Sequence, residues 1–227
     1  MNKKSSSRPT FIEEQKLWKQ GIKYIIGADE VGRGSFAGPV VVGAVVLSKK
    51  KCSKELLGQI DDSKRLKQEK REELSELIKE QADYWTVATV GVPVINKVGI
   101  GKATEVAFRK AVKDLRVKIY GLRIKSKLGI TEEKLFLLID GFEIKHVMGI
   151  GLKNQKAIVK GDQKSLSIAA ASIIAKVYRD NLMQNFGKKY PEYCWDKNKG
   201  YGTKLHRDEI KKRGLTKLHR TVFCRAS

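Results

Sequence analysis

Four acidic residues stand where apolar runs stop. Tyr24-Ile25-Ile26-Gly27-Ala28 leads into Asp29-Glu30, Leu135-Phe136-Leu137-Leu138-Ile139 into Asp140, and Ala157-Ile158-Val159 towards Gly161-Asp162. In open α/β sheets, ligand and metal sites gather at the carboxyl ends of strands. Four carboxylates brought together repel one another unless cations hold them. Hard oxygen donors suit Mg²⁺ or Mn²⁺ better than zinc. Two such ions can activate a water and stabilise the leaving oxygen of an in-line displacement at a phosphodiester. Taken singly, each acid reads equally well as a helix cap or a turn former. Asp162 does so most readily, three residues before Ser165, where a long helix is expected.

Between the first acids and the next apolar run lies Gly32-Arg33-Gly34. Neighbours in a regular strand point to opposite faces, so Asp29 and Glu30 can share a metal only where the strand ends or twists. The two glycines allow such a bend and a close backbone approach to a ligand. Arg33 offers a planar fork for phosphate. A lone Gly-x-Gly, however, is also the signature of a plain tight turn.

The elements that must position these groups follow from pattern. A short helix is expected from Phe11 to Gln20, ending at Gly21. Val40 to Leu47, apolar on both faces, reads as a central strand of a covered sheet. Gln68–Gln81 is charged and helical, and Tyr84–Val92 alternates as a strand. Ile100–Arg116 repeats Ala103, Ala107 and Ala111 along one face of an amphipathic helix. Residues 121–134 are polar and read as a loop. Ser165–Phe186 is a long helix whose Ala169, Ala171, Ser172 and Ala175 let it lie close to a sheet. After the basic loop Lys199–Gly202 comes a short helix, Leu205–Arg213, and then a tail. The economical division is a flexible basic leader and short helix over 1–20, one α/β domain over 21–204, and a C-terminal helical extension with tail over 205–227.

Composition narrows the partner. The 227 residues hold 47 Lys and Arg against 25 Asp and Glu, a net charge of +22. Such an excess points to a polyanion, nucleic acid or an anionic surface. No apolar run approaches the roughly 20 residues of a membrane span, and no apolar signal core follows the basic N-terminal segment, so a cytoplasmic location is expected. Cys52, Cys194 and Cys224 are odd in number and widely spaced, which suits reduced thiols. Lys3, Lys4, Lys211, Lys212, Arg213, Lys217 and Arg220 are expected to attract phosphates irrespective of sequence.

The stretch Gly27-Ala28-Asp29-Glu30-Val31-Gly32-Arg33-Gly34-Ser35-Phe36-Ala37-Gly38-Pro39 resembles the N-terminal signature of type 2 ribonucleases H, specifically ribonuclease HII. Asp62-Ser63-Lys64, Ile100-Gly101-Lys102, Asp140-Gly141, Lys160-Gly161-Asp162, Ser167 to Val177 with Arg179-Asp180, Lys199 to Thr203, and His219-Arg220 agree in order. The resemblance covers about residues 22–223. It implies a ribonuclease H-like fold, a mixed central sheet flanked by helices. It implies cleavage of the RNA strand of RNA–DNA hybrids and nicking 5′ to a single ribonucleotide embedded in duplex DNA, leaving 3′-hydroxyl and 5′-phosphate ends. Carried over, Asp29, Glu30, Asp140 and Asp162 are the catalytic metal ligands for two Mg²⁺ or Mn²⁺ ions, with Asp29 as the bridge. Gly32, Arg33 and Gly34 contact the ribose 2′-hydroxyl, the group that separates RNA from DNA. Tyr201 packs on the sugar beside the scissile junction and Lys64 lies near the scissile phosphate. A monomer is expected. Only some twenty residues precede the first strand, which favours ribonuclease HII over HIII.

The sequence departs from the family pattern at Ser35-Phe36, where Pro-Leu is commoner, and at Phe142, where a polar residue is usual. These departures bear on loop geometry and remove no ligand. Two other readings share part of the pattern: a non-enzymatic basic RNA-binding protein, and a DNA nuclease of the same fold with no need to read a 2′-hydroxyl.

Overall fold

The structure is a computed structural model that describes residues 8–121 and 135–224. In chain order the elements are α1 (Ile12–Lys19), β1 (Tyr24–Val31), β2 (Val40–Val46), α2 (Lys54–Gln59), α3 (Gln68–Gln81), β3 (Tyr84–Val90) and α4 (Val92–Tyr120). They continue with β4 (Leu135–Asp140), β5 (Gln155–Ile158), α5 (Leu166–Lys189), α6 (Trp195–Asn198), α7 (Lys204–Arg213) and α8 (Thr221–Cys224). The polar stretch expected as a loop falls almost wholly on residues 122–134, outside the described residues.

The strands make one mixed sheet in the order β3-β2-β1-β4-β5. β1 to β3 form an antiparallel meander, while β1, β4 and β5 run parallel. Every residue of β2 is buried, as its two-faced apolar pattern demands. On one face Ile26, Ala28, Val42 and Ala44 pack against Ala103, Ala107, Phe108 and Ala111 of α4. On the other, Val45 and Leu47 meet Leu74 and Ile78 of α3 and the small residues of α5. This is the mixed sheet flanked by helices that the sequence implied.

At Gly27 and Gly43 helix α5 lies so close to the sheet that there is no room for a side chain between them. A Cβ placed on Gly27 would overlap backbone atoms of Ser167 and Ile168, and one on Gly43 would strike the carbonyl oxygen of Ala171. The small residues at Ala169 to Ser172 serve this approach as expected. The Ser165 hydroxyl caps the helix by accepting from the Ile168 amide at 3.2 Å.

Three boundaries differ from the sequence reading. β1 continues to Val31, so Asp29 and Glu30 lie inside the strand. β3 stops at Val90, and α4 begins at Val92, well before the expected start at Ile100. The extra turns were masked by Pro93 and by Gly99, which breaks the helix with φ at 81°. The segment after α7 is folded rather than a loose tail. His219 and Arg220 are fully buried, and the Arg220 amide bonds to the carbonyl of Phe36 at 2.7 Å.

Candidate active site

Parallel pairing assembles the acids. Ala28 of β1 is matched with Ile139 of β4, so the next residues, Asp29 and Asp140, come side by side. Asp140 is in turn paired with Ile158, the last residue of β5. Asp162 is not on the strand itself. It sits just beyond, in a single 3₁₀ turn, Gly161–Gln163. The Asp140 carboxylate accepts from the Gly161 amide at 2.7 Å and so ties β4 to that turn. Asp162 is not the cap of α5, because Ser165 performs that role.

Asp29 is buried, and its carboxyl is held well above the ordinary range. Burial is the main cause, and the charges of Glu30, Asp140 and Asp162 add to it, against a hydrogen bond from Ser172. Burial also lifts Glu30 to about 7, with Asp140 adding and Arg33 opposing. Asp162 is raised by burial and by Asp62, against the pull of Lys64. Asp29, Glu30 and Asp162 therefore stand where negative charge is costly, and the charge of Asp140 acts on all three. Among the described residues, no group of three or more His, Cys, Asp or Glu side chains is placed so that it could hold a metal ion as the side chains stand. The donor set still fits a hard divalent cation. It is all carboxylate oxygen, largely withdrawn from water, and short of positive charge, since Lys64 reaches Asp162 at only 3.6 Å from a largely exposed position.

The turn that follows β1 carries Arg33 outward. Its guanidinium lies 3.8 Å from Glu30 and 5.1 Å from the centre of the Phe142 ring. The unusual Phe142 thus gives Arg33 an aromatic face beside the acids. Gly32 has φ of 88°, and a Cβ there would collide with the side chain of Arg179. Gly34 faces open space. The Tyr201 ring is partly exposed and stands over the Arg179 guanidinium, 5.5 Å away. The other departure is also accommodated. Ser35 is buried and accepts from Arg179 at 2.9 Å, while Phe36 packs where a Cβ on Gly202 would touch it at 2.7 Å.

Three groups near these residues carry no signal of their role in the sequence. Asp62 is buried, accepts from the Lys64 amide at 2.9 Å and from Gln163 at 3.0 Å, and so joins the Lys64 segment to the Asp162 turn. Arg179 and Arg220 are both fully buried behind the glycine turn. Arg220, expected to attract phosphate, instead donates inward to the carbonyls of Gly38 and Arg33, each at 2.9 Å. Lys211, Lys212 and Lys217 are exposed and remain available to a polyanion, and the exposed Arg213 is paired with Glu209 at 2.7 Å.

His206 and His219 lie beneath the Tyr201 loop, withdrawn from solvent. The Trp195 indole donates to His206 Nε2 at 3.0 Å, which leaves the proton on Nδ1, 2.9 Å from the Tyr201 carbonyl. The Thr216 amide donates to His219 Nδ1 at 2.8 Å, so His219 Nε2 carries its proton towards His206, 3.1 Å away. This pattern requires both rings to be neutral. Burial, then the proximity of His206, pushes His219 down to about 4. Burial also lowers His206. Because these folded values lie below the unfolded one, the unfolded chain binds more protons as acid is added. Stability should therefore fall as pH drops from 6.5 towards 4, with His219 alone contributing up to about 3 kcal/mol. Thermal melts across that window, with His219→Asn for comparison, measure it: the variant should melt with a flatter pH dependence.

Comparison with known proteins agrees with this geometry. The family described as Ribonuclease HII matches residues 26–226. A ribonuclease HII of Clostridium perfringens (strain 13 / Type A) is 45% identical over 201 residues, 88% of this chain, and the match spans 66% of that relative's length. Among solved structures, the ribonuclease H2 from Pyrococcus horikoshii OT3 superposes with a TM-score of 0.69 at 24% identity, covering 90% of this chain and 96% of the other. Bst-RNase HIII in complex with Mn²⁺ also gives 0.69, at 21% identity, covering 100% of this chain and 76% of the other. At these identities the superpositions establish the ribonuclease H-like fold. With the family pattern matched along nearly the whole chain, from β1 to beyond α8, the chain belongs to the ribonuclease HII family.

Proposed function

We propose that this chain is a metal-dependent endoribonuclease that cleaves the RNA strand of RNA–DNA hybrids and nicks duplex DNA on the 5′ side of a single embedded ribonucleotide. The observation that carries the reading is the gathering of Asp29, Glu30, Asp140 and Asp162 in a chain of net charge +22, with burial and mutual repulsion raising Asp29. A plain polyanion binder gains nothing from such a cluster. Asp29, Glu30, Asp140 and Asp162 would hold two Mg²⁺ or Mn²⁺ ions, Asp29 between them. Bound there, the ions supply an activated water and charge stabilisation for a leaving 3′-oxygen. Lys64 stands beside Asp162 and meets the scissile phosphate. Gly32, Arg33 and Gly34 contact the 2′-hydroxyl and its phosphates, and Tyr201 packs against the neighbouring sugar. Membership of the ribonuclease HII family supports the substrate class. Among the described residues no helix is long and apolar enough to cross a membrane. The protein acts as a monomer in the cytoplasm on this reading.

The test is nicking of a DNA duplex that bears one ribonucleotide, with Mg²⁺ or Mn²⁺, beside an all-DNA duplex and a chelator control. One cut 5′ to the ribonucleotide, absent from the all-DNA duplex and abolished by chelator, is expected. Equal cutting of both duplexes would favour a DNA nuclease of the same fold, and binding without any cutting would favour a non-enzymatic RNA-binding protein. The exposed Lys211, Lys212, Arg213 and Lys217 add a further expectation. The logarithm of duplex affinity should fall linearly with the logarithm of salt concentration. Neutralising any one of these side chains should flatten the slope by roughly 0.9 for each phosphate that it pairs with. Titrations at several salt concentrations would measure it.

A further inference from the structure

Arg179 projects from α5 into a collar of main-chain oxygens. Its Nε donates to the Pro39 carbonyl at 3.1 Å, and Nη2 donates to Ser35 Oγ at 2.9 Å and to the Ala37 carbonyl at 3.2 Å. Nη1 donates to the Lys199 carbonyl at 2.9 Å, and the face of the guanidinium meets the ring of Tyr201. The two segments so joined also touch directly, since the amides of Phe36 and Ala37 both donate to the carbonyl of Gly200, at 2.8 and 3.1 Å. Gly32 lacks a side chain where Arg179 passes. One planar cation, fully buried, therefore spans the glycine turn and the Tyr201 loop. A lysine has one point of charge and could not make these bonds in several directions while presenting a flat face to an aromatic ring.

We propose that Arg179 is a positioning residue that fixes Tyr201 relative to the Gly32–Gly34 turn, so that the ribose and the adjoining sugar are read as one unit. The inference rests on the substrate roles assigned above to that turn and to Tyr201. Recognition elements must be held within about 0.5 Å of their working geometry to act together. Arg220 also grips the turn through the carbonyls of Arg33 and Gly38, and backbone bonds at Gly200 and the His206 ring hold the main chain of the Tyr201 loop, which leaves the Tyr201 ring as the part that Arg179 alone of these groups faces. Loosening Arg179 should cost discrimination between ribose and deoxyribose rather than general attraction to the duplex.

The experiment measures equilibrium binding, in chelator, to a duplex with one ribonucleotide and to its all-DNA counterpart, for the unaltered protein, Arg179→Lys, Tyr201→Ala and the double variant. Arg179→Lys should lower the ratio of the two affinities about tenfold while all-DNA binding holds steady. In the Tyr201→Ala background the same change should cost less than about twofold, because its effect runs through the ring. A preserved ratio, equal weakening on both duplexes, or fully additive losses would overturn the proposal. If Arg179→Lys does not melt cooperatively, Ser35→Ala, which removes one acceptor, decides the matter. It should lower the ratio about threefold, and an unchanged ratio overturns the proposal. Failure of the parent reading looks different, because the unaltered protein would then bind both duplexes alike.

Discussion

Replacing Asp29 by Asn is expected to abolish cleavage and, in chelator at neutral pH, to raise the melting temperature. The activity loss follows from Asp29's central place among the acids. Withdrawing one anionic oxygen from a shared cation site should cost about 4 kcal/mol of transition-state stabilisation, roughly a thousandfold in rate. The stability gain follows from the cost of charge at that position. The Asp29 carboxyl is raised well above its ordinary value by burial and by Glu30, Asp140 and Asp162. A group with a raised folded value contributes stability at low pH that is lost as pH rises through that value. Asparagine keeps the shape and a partner for Ser172 but never ionises, so the variant should melt higher than the parent at neutral pH, and the gap should widen with pH. Nicking assays and paired melts at pH 5 and pH 8 would check both halves. A variant that is less stable than the parent at pH 8 would show that Asp29 is a structural residue.

Gly27→Ala should be the most damaging of the small substitutions to the fold. The methyl group has no flexible neighbour to displace, because the atoms it meets are backbone carbon and nitrogen of Ser167 and Ile168 at the start of α5. Either the helix lifts from β1 or the strand bends, and both disturb the sheet end that carries Asp29. A loss of about 3 kcal/mol is expected, at the upper end for overpacking. Urea unfolding should show a lower midpoint with an unchanged slope. Gly34→Ala is the matched control. Nothing lies within 4 Å of the added methyl group, so stability should stay within about 0.5 kcal/mol of the parent and any loss of cutting belongs to the substrate face.

The candidate acids were legible because each follows an apolar run in the sequence. An apolar run that stops at a carboxylate marks the end of β4 at Asp140, whereas β1 runs on past Asp29 and Glu30 and β5 ends before Asp162; parallel pairing of β1, β4 and β5 brings the three runs side by side. The covered sheet was legible for the same reason, from the unbroken apolar run of β2. The support for the glycine turn was not legible. Arg179 reaches Ser35 across 144 positions and Arg220 reaches Arg33 across 187, and neither bond leaves any periodic trace in sequence. In a chain so rich in basic residues, a buried arginine looks like one more surface charge until its acceptors are seen. Asp62 was hidden in the same way. Its side chain is spent on the Lys64 amide and Gln163, and only the fold shows that this holds Lys64 beside Asp162. The first turns of α4 were lost to Pro93, which suits the first turn of a helix but reads as a breaker in sequence, and to Gly99, which does interrupt the helix; Val92 and Ile95 are buried in the core.

The grip of Arg220 on the carbonyls of Arg33 and Gly38 has a consequence for the order of events in synthesis. The glycine turn is made before the arginine that closes it, which follows Arg33 by 187 positions. Closing a contact of that sequence separation must wait for the sheet and α5 that lie between its ends, so the glycine turn takes its final shape late in folding. Until then the carbonyls of Arg33 and Gly38 lack the donor that they meet in the folded chain.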